Sequence, residues 1–203
     1  MLLDVLLPTR CILCGTSSRR LCPNCLPTIG CDPRLVMRGS FIGFATDSYT
    51  EDVKTVLRSY KELGESALAT DLAAMMLPLF QGFDSVPPLL IPIPSNQSSL
   101  RERGYNPAEL LCRELARFVP GVTWRNHLVR TRTTNDQSKL LPGERALNQA
   151  GSMVARVSNQ RVLLIDDIVT TGATLLEAKR ALENSGNLVT GFIAFAETET
   201  KKV

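Results

Sequence analysis

VLLIDDIVTTGAT, residues 162–174, is the stretch of sequence that decides the fold. Its first four residues form a continuous apolar run, which is typical of a parallel strand covered on both faces of a sheet. Asp166 and Asp167 follow at what we expect to be the carboxyl end of that strand, where ligands bind in open α/β sheets. Small polar residues, 170–174, then lead into a helix. We therefore predict a ligand site at this strand-to-helix junction.

The junction suits a phosphorylated sugar. Backbone N–H groups of the turn and the positive end of the helix attract a phosphate, and Gly172 lets the backbone approach closely. Acidic side chains beside the turn can accept hydrogen bonds from ribose hydroxyls. The spacing is neither that of a Walker A loop nor that of a GxGxxG turn. The alternative is that the Asp and Thr residues only cap the helix, but a cap needs one such residue and five stand here in register.

Length and composition indicate one α/β domain with a small appendage. The chain has 203 residues, of which 44% are hydrophobic, and this is too short for two full domains. The apolar stretches are only as long as strands. The amino terminus, MLLDVLLPTRC, has an acid at Asp4, a break at Pro8 and no basic lead, so it does not resemble a signal peptide. We expect a cytoplasmic protein with no membrane span.

Five of the six cysteines lie in the first 31 residues. Four of them form two CxxC pairs: Cys11 with Cys14, and Cys22 with Cys25. In a reducing compartment, two such pairs predict a tetrathiolate zinc site. A redox-active CxxC and a disulfide pair are the alternatives. Cys31 is left as a free thiol or a substitute ligand, and Cys112 is expected to be a small buried hydrophobe.

Elsewhere, strand-like and helix-like segments alternate as in a doubly wound, mostly parallel sheet. Strands are predicted at 41–45, 89–93, 123–129, 161–165 and 188–195. Helices are predicted from residue 50, over 67–80, over 107–118 with Asn106 as its cap, and over 173–184. This divides the chain into a cysteine-rich module, 1–38, and an α/β domain, 39–203.

The remaining polar signals fall on loops of the predicted sheet. KELG, residues 61–64, ends the first helix, and RERGYN, residues 101–106, follows the strand at 89–93. A third polar segment, 128–151, offers Arg130, Arg132, Gln137, Arg145 and Asn148. Taken singly, exposed arginines are usually a solvated surface.

Taken together, these segments resemble the ComF/GntX family of phosphoribosyltransferase-like proteins. The resemblance covers nearly the whole chain in order: the double CxxC, a KxxG turn from Lys61 to Gly64, the RxRGxN segment, the Gln137, Arg145 and Asn148 set, and DDIVTTGAT. One position departs from the family, because Pro107 stands where a glutamine is usual.

The resemblance implies a type I phosphoribosyltransferase-like fold with a small amino-terminal zinc-ribbon-like module. It also implies binding of phosphoribosyl pyrophosphate (PRPP) with Mg²⁺, in which Asp166 and Asp167 are the catalytic acids. Lys61 is the implied pyrophosphate contact. The other implied PRPP-binding residues form the loop after the acids: Ile168, Val169, Thr170, Thr171, Gly172, Ala173 and Thr174. ComF-like proteins are associated with DNA uptake in natural transformation, and GntX-like relatives with gluconate use.

Charge is concentrated in one part of the chain. Residues 101–161 contain eleven basic and five acidic residues, although the net charge of the whole chain is only +3. This predicts contacts to single-stranded DNA, with Tyr105 and Trp124 as candidate stacking rings, or a field that draws in PRPP and pyrophosphate. The candidate contacts are Arg101, Arg103, Arg130, Arg132 and Arg145.

Three functions remain open at this point. The first is an accessory protein of DNA uptake that binds PRPP and single-stranded DNA, with a protein partner in the uptake machinery. The second is an active phosphoribosyltransferase of unknown acceptor, and the third is a PRPP sensor without catalysis.

Overall fold

The computed structural model describes residues 9–131 and 151–198. Within these residues, one six-stranded sheet has the strand order β1-β2-β8-β7-β3-β4. Its strands are β1 (Arg34–Arg38), β2 (Phe41–Ser48), β3 (Leu89–Pro92), β4 (Thr123–Trp124), β7 (Arg161–Val169) and β8 (Leu188–Glu197). All neighbouring pairs are parallel except β1 with β2. The prediction of a mostly parallel α/β fold is therefore confirmed.

Five α-helices are described: α1 (Glu51–Glu62), α2 (Leu68–Met76), α3 (Gln97–Arg103), α4 (Pro107–Phe118) and α5 (Ala173–Glu183). Three of them, α1, α4 and α5, begin where the sequence predicts, and the first two have side-chain caps. The hydroxyl of Thr50 accepts a hydrogen bond from the Val53 N–H at the start of α1, and the Asn106 side chain accepts one from the Ala108 N–H at the start of α4. Such caps satisfy N–H groups that have no partner within the helix.

The sheet is covered on both faces. On one face, residues of α1, α2 and α4 pack against Leu163 and Ile165 of β7. On the other face, α5 and a short antiparallel pair, β5 (Leu128–Arg130) with β6 (Met153–Ala155), pack against Val162 and Leu164. The continuous apolar run at 162–165 is thus a central strand with side chains in both cores.

Three predicted elements differ most from the observed ones. The strand predicted at 161–165 continues to Val169, so Asp166 and Asp167 lie within β7 and not after it. The segment 123–129 was predicted as one strand, but it forms β4 of the large sheet and β5 of the separate pair. The helix predicted over 67–80 ends at Met76 and continues as a 3₁₀ helix, Leu77–Gly82, because Pro78 has no N–H to donate to an α-helical bond.

The cysteine-rich module packs on the face of the sheet that carries α1, α2 and α4. Leu21 and Ile29 are fully or almost fully buried in the same core as α1 and α2, and the Gly30 N–H donates to the buried carboxylate of Asp47 on β2 at 2.8 Å. Strand β1, which lies within residues 1–38, is part of the large sheet. No helix in the described part of the chain has the length and apolar character that a membrane crossing requires.

Candidate functional site

Asp166 and Asp167 lie near the carboxyl end of β7, in the middle of the sheet. Because successive residues of a strand point to opposite faces, the two carboxylates are directed to different sides. Asp167 is buried on the side of α1, where its Oδ1 is 2.8 Å from Nζ of Lys61. Asp166 acts electrostatically on Arg130 of β5, on the other side. The two acids thus join both layers of the fold at one edge of the sheet.

The pKa of Asp166 is well above its usual range. Removal of the carboxyl from water is the main cause and the neighbouring charge of Asp167 adds to it, while Lys61 opposes both. The Asp167 N–H also donates to Oδ1 of Asp166 at 2.9 Å. A cation or a pair of ligand hydroxyls at this carboxylate would replace the interactions with water that it has lost.

A cavity of about 390 Å³ opens above the two acids. Its opposite wall is formed by the chain that follows β3, which pairs directly with β7 and so ends at the same edge of the sheet. The polar and cationic residues on the walls are Lys61, Ser95, Asn96, Ser99, Arg103, Asn106, Arg130 and Thr174. Three cations and two carboxylates around one cavity suit a ligand that carries both phosphate groups and hydroxyls.

Ser95, Asn96 and Ser99 were missed by the sequence analysis. The signal in the sequence is that they follow directly on a strand, which places them at the carboxyl end of the sheet. These three residues are close to Asp166 and Asp167, however, only because β3 and β7 are neighbours in the sheet. Strand order cannot be read from this one sequence.

The RERGYN segment divides into binding and structural positions. Arg103 lines the cavity, whereas Asn106 is buried and donates to the Ile93 carbonyl oxygen at 3.0 Å, which holds the loop after β3.

Pro107, the position that departs from the family pattern, accepts a 2.7 Å hydrogen bond from the buried Tyr60 hydroxyl through its carbonyl oxygen. The ring of Tyr105 packs near that of Tyr60, and its hydroxyl donates to the Tyr60 carbonyl oxygen. Tyr105 is thus tied to α1.

The predicted phosphate loop, residues 170–174, connects β7 to α5 and lies beside the cavity, next to Asp166. Gly172 has φ +79° and stands at the N-cap of α5, so it contributes no side chain to the first N–H groups of that helix. Such N–H groups attract anions. The loop lines a recess of about 20 Å³ that shares Asp166 and Thr174 with the larger cavity. Of the predicted loop residues, Val169 has its side chain in the core.

The predicted arginine contacts separate into three groups. Arg103 and Arg130 line the cavity, and Nε of Arg130 donates to the Pro94 carbonyl oxygen at 2.9 Å. Arg101 is exposed and is not among the cavity-lining residues. Arg132 and Arg145, together with Gln137 and Asn148, lie outside the described residues.

The four cysteines of the CxxC pairs form one cluster. Their sulfur atoms all lie within 4.8 Å of one another, and Sγ of Cys14 is 3.7 Å from Sγ of Cys22. Four sulfurs at about 2.3 Å from a tetrahedral Zn²⁺ are about 3.8 Å apart, so the cluster fits a metal such as zinc. Cys31 is exposed and outside this cluster, and Cys112 is buried in the core, as predicted.

The thiols of the cysteine cluster differ in their pKa values. Burial alone would raise the pKa of Cys11, but N–H groups of Cys14, Cys22 and Leu13 outweigh it and lower that pKa to about 6. Hydrogen bonding to the thiols of Cys14 and Cys22 raises the pKa of Cys25 to about 12. A bound cation would remove this imbalance because it stabilises all four thiolates.

Comparison with known proteins gives a family match and a set of relatives. The phosphoribosyl transferase domain family matches residues 66–202. Competence protein F of Haemophilus influenzae is 33% identical over 106 residues, which are 50% of this chain and 46% of that protein. DNA utilization protein YhgH of Salmonella typhi is 26% identical over 193 residues, which cover 87% of this chain and 85% of that protein.

Two further matches are a second competence protein and a solved structure. Competence protein ComFC of Bacillus subtilis is 31% identical over 146 residues, 68% of this chain and 57% of that protein. Among solved structures, adenine phosphoribosyltransferase from Thermoanaerobacter pseudethanolicus is similar with a TM-score of 0.43 and 14% identity, over 85% of this chain and 99% of that one.

Proposed function

Since the chain is a ComF-type member of the phosphoribosyl transferase domain family, we propose that it binds PRPP with Mg²⁺ at the cavity above Asp166 and Asp167. The observation that carries the proposal is the meeting of two carboxylates with Lys61, Arg103 and Arg130 around one cavity. A smaller recess, lined by the loop at the start of α5, shares Asp166 and Thr174 with this cavity.

The proposed ligand matches the site group by group. The 5-phosphate lies at the amino end of α5, within the 170–174 loop. The ribose hydroxyls donate to Asp166 and Asp167, and the pyrophosphate lies toward Lys61 and Arg103. Mg²⁺ prefers to bridge phosphate and hydroxyl oxygens while it keeps several waters, so it arrives with PRPP and neutralises the charge of the pyrophosphate.

Calorimetry of PRPP binding in the presence of Mg²⁺ tests this proposal. The double variant Asp166→Asn with Asp167→Asn loses hydrogen bonds to charged acceptors, each worth about 1.5–3 kcal/mol, so we expect affinity to fall by about tenfold or more. Asp84→Asn is the matched control, because Asp84 is exposed and lies outside this cavity. Unchanged binding in a folded double variant would contradict the assignment.

The site supports two outcomes after binding. An active transferase releases pyrophosphate when the right acceptor is present, whereas a PRPP sensor binds without turnover. Pyrophosphate release from PRPP, measured with a panel of nucleobases and with or without DNA, separates the two. The described residues around the cavity include no group that identifies an acceptor.

The relatives favour a role in the handling of DNA. Proteins named Competence protein F, Competence protein ComFC and DNA utilization protein YhgH are similar to this chain. We therefore propose that the protein acts in DNA uptake, in the cytoplasm, with a protein partner in the uptake machinery and with single-stranded DNA as a second ligand.

We also assign zinc to Cys11, Cys14, Cys22 and Cys25, where it holds the amino-terminal module together.

A further inference from the structure

Arg38, at the end of edge strand β1, is the residue that holds the outer side of the 170–174 loop. Its side chain is only 6% exposed. Nε donates to the Thr170 carbonyl oxygen at 2.7 Å, while Nη2 donates to the Thr198 carbonyl oxygen at 3.1 Å and to Oε2 of Glu197 at 3.0 Å. The guanidinium thus joins the ends of β7 and β8 at the edge of the sheet that carries the site.

The aliphatic part of Arg38 also contacts the loop. A Cβ added to Gly172 would lie 2.5 Å from Cγ and 2.6 Å from Cβ of Arg38, so the loop backbone packs directly on this side chain. Gly172 also has φ +79°, a conformation that side chains other than glycine disfavour. The position of the loop therefore depends on Arg38 and Gly172 together.

From these contacts we propose that Arg38 is a positioning residue for the phosphate end of the PRPP site. It acts through the Thr170 carbonyl group and not by contact with the ligand. The hydrogen bond turns this carbonyl oxygen toward Arg38, which leaves the ligand side of the loop to N–H groups. The loop is then already in place before the phosphate arrives, and this reduces the ordering cost of binding. The inference rests on the proposed function, because it assumes that the loop binds phosphate.

The hydrogen-bond geometry of Arg38, more than its charge, is what affects the ligand. The carboxylate of Glu197 at 3.0 Å balances the guanidinium, and an opposite charge at that distance cancels most of the field felt further away. Lys61 and Arg103, at the proposed pyrophosphate end, line the larger cavity, whereas Arg38 does not. Loss of Arg38 should therefore weaken binding of the phosphate end alone.

Two small probes separate the two ends of the site: ribose 5-phosphate for the loop and inorganic pyrophosphate for the cationic wall. Arg38→Met keeps the length of the stem and removes the donors, so calorimetry should show ribose 5-phosphate binding about tenfold weaker. Pyrophosphate affinity should stay within about twofold. Arg34→Met is the matched control, because Arg34 lies on the same strand and also pairs with Glu197; it should leave both affinities unchanged.

A merely structural role would lower thermal stability and both affinities together, which would overturn the inference, as would ribose 5-phosphate affinity that Arg38→Met leaves unchanged. If Arg38→Met does not fold, Arg38→Lys supplies the measurement. It keeps the cation but not the two-sided guanidinium, so ribose 5-phosphate binding should still weaken by at least about threefold. Full affinity in this variant overturns the inference. If the wild type binds neither ribose 5-phosphate nor PRPP, the proposed function itself fails.

Discussion

At the scale of single residues, the two acids show a conflict between ligand binding and stability. Asp167 has Lys61 as a partner, whereas Asp166 has its charge opposed by burial and by Asp167. A carboxyl with a raised pKa in the folded state is less stable as an anion than it would be in the unfolded chain. If PRPP binds as proposed, Asp166 is a residue that lowers the stability of the fold and serves the ligand.

Asp166→Asn should raise stability and weaken PRPP binding. A folded-state pKa above the unfolded value means that the folded protein binds the proton more tightly, so wild-type stability falls as pH rises from about 4 through the folded pKa. Asparagine has no such dependence. Above that window the variant should be more stable than the wild type, because asparagine carries no charge that burial opposes.

Denaturant unfolding of both proteins between pH 4 and pH 8 measures the difference. Asp71→Asn, on α2 and outside the cavity, is the control and should show no comparable gain. A variant that is less stable than the wild type at the upper end of this range would show that the Asp166 anion is stabilised by its surroundings.

At the scale of elements, the cysteine-rich module is joined to the part of the site that carries Lys61. Arg20 forms an ion pair with Glu65, just beyond the KELG turn. Leu21 and Ile29 share a core with Tyr60, the residue before Lys61. A metal in the cysteine cluster would thus support the end of α1 as well as the module itself.

Loss of zinc should therefore weaken pyrophosphate binding. The protein as purified should hold about one zinc per chain by elemental analysis. Chelation should then increase hydrogen exchange at residues 11–31 and 61–66 before it does so in β7. Pyrophosphate affinity should fall with it, because the support of Lys61 is lost.

Two exposed cysteines provide a matched pair for this test. Cys14 belongs to the cluster and Cys31 does not. Cys14→Ser should lower the zinc content and the pyrophosphate affinity, and Cys31→Ser should change neither. Metal-free protein of full stability, or equal effects of the two substitutions, would argue against a zinc site that supports the turn.

Local patterns predicted the elements better than they predicted the site. The caps at Thr50 and Asn106 and the apolar run at 162–165 are local signals, and each corresponds to an observed element. The wall formed by Ser95 and Asn96, by contrast, depends on which strands are neighbours. The hold of Arg38 on Thr170 joins residues 132 positions apart, and nothing local in the sequence indicates such a contact.

At the scale of the whole molecule, the functional features gather at one edge of the sheet. The acids lie near the carboxyl end of β7, the predicted phosphate loop follows β7, and the chain after β3 forms the opposite wall of the cavity, as in other open α/β sheets. The module with the cysteine cluster is also joined to the end of α1 that carries Lys61. This edge is therefore where we expect an anionic ligand longer than the proposed PRPP to extend, toward Arg101 and Arg103 of α3.

Arg101 allows binding of DNA to be distinguished from binding of PRPP. It lies on α3 beside Arg103, but it is exposed and outside the cavity. Arg117 belongs to the same basic segment, and its charge is balanced by Glu114 at 2.9 Å. A nucleic-acid surface should use Arg101 and not Arg117. A general positive field, by contrast, would be reduced equally by the loss of either arginine.

We expect Arg101→Ala to weaken the binding of a labelled single-stranded oligonucleotide and to leave PRPP affinity unchanged, with Arg117→Ala as the control. Release of counterions dominates such binding, so log affinity should fall with log salt by about 0.7 for each phosphate contacted, and Arg101→Ala should lower that slope by about the same amount. Fluorescence anisotropy at increasing salt measures both. If the oligonucleotide does not bind at low salt, about 50 mM, the prediction is wrong. The basic segment would then attract only PRPP and pyrophosphate.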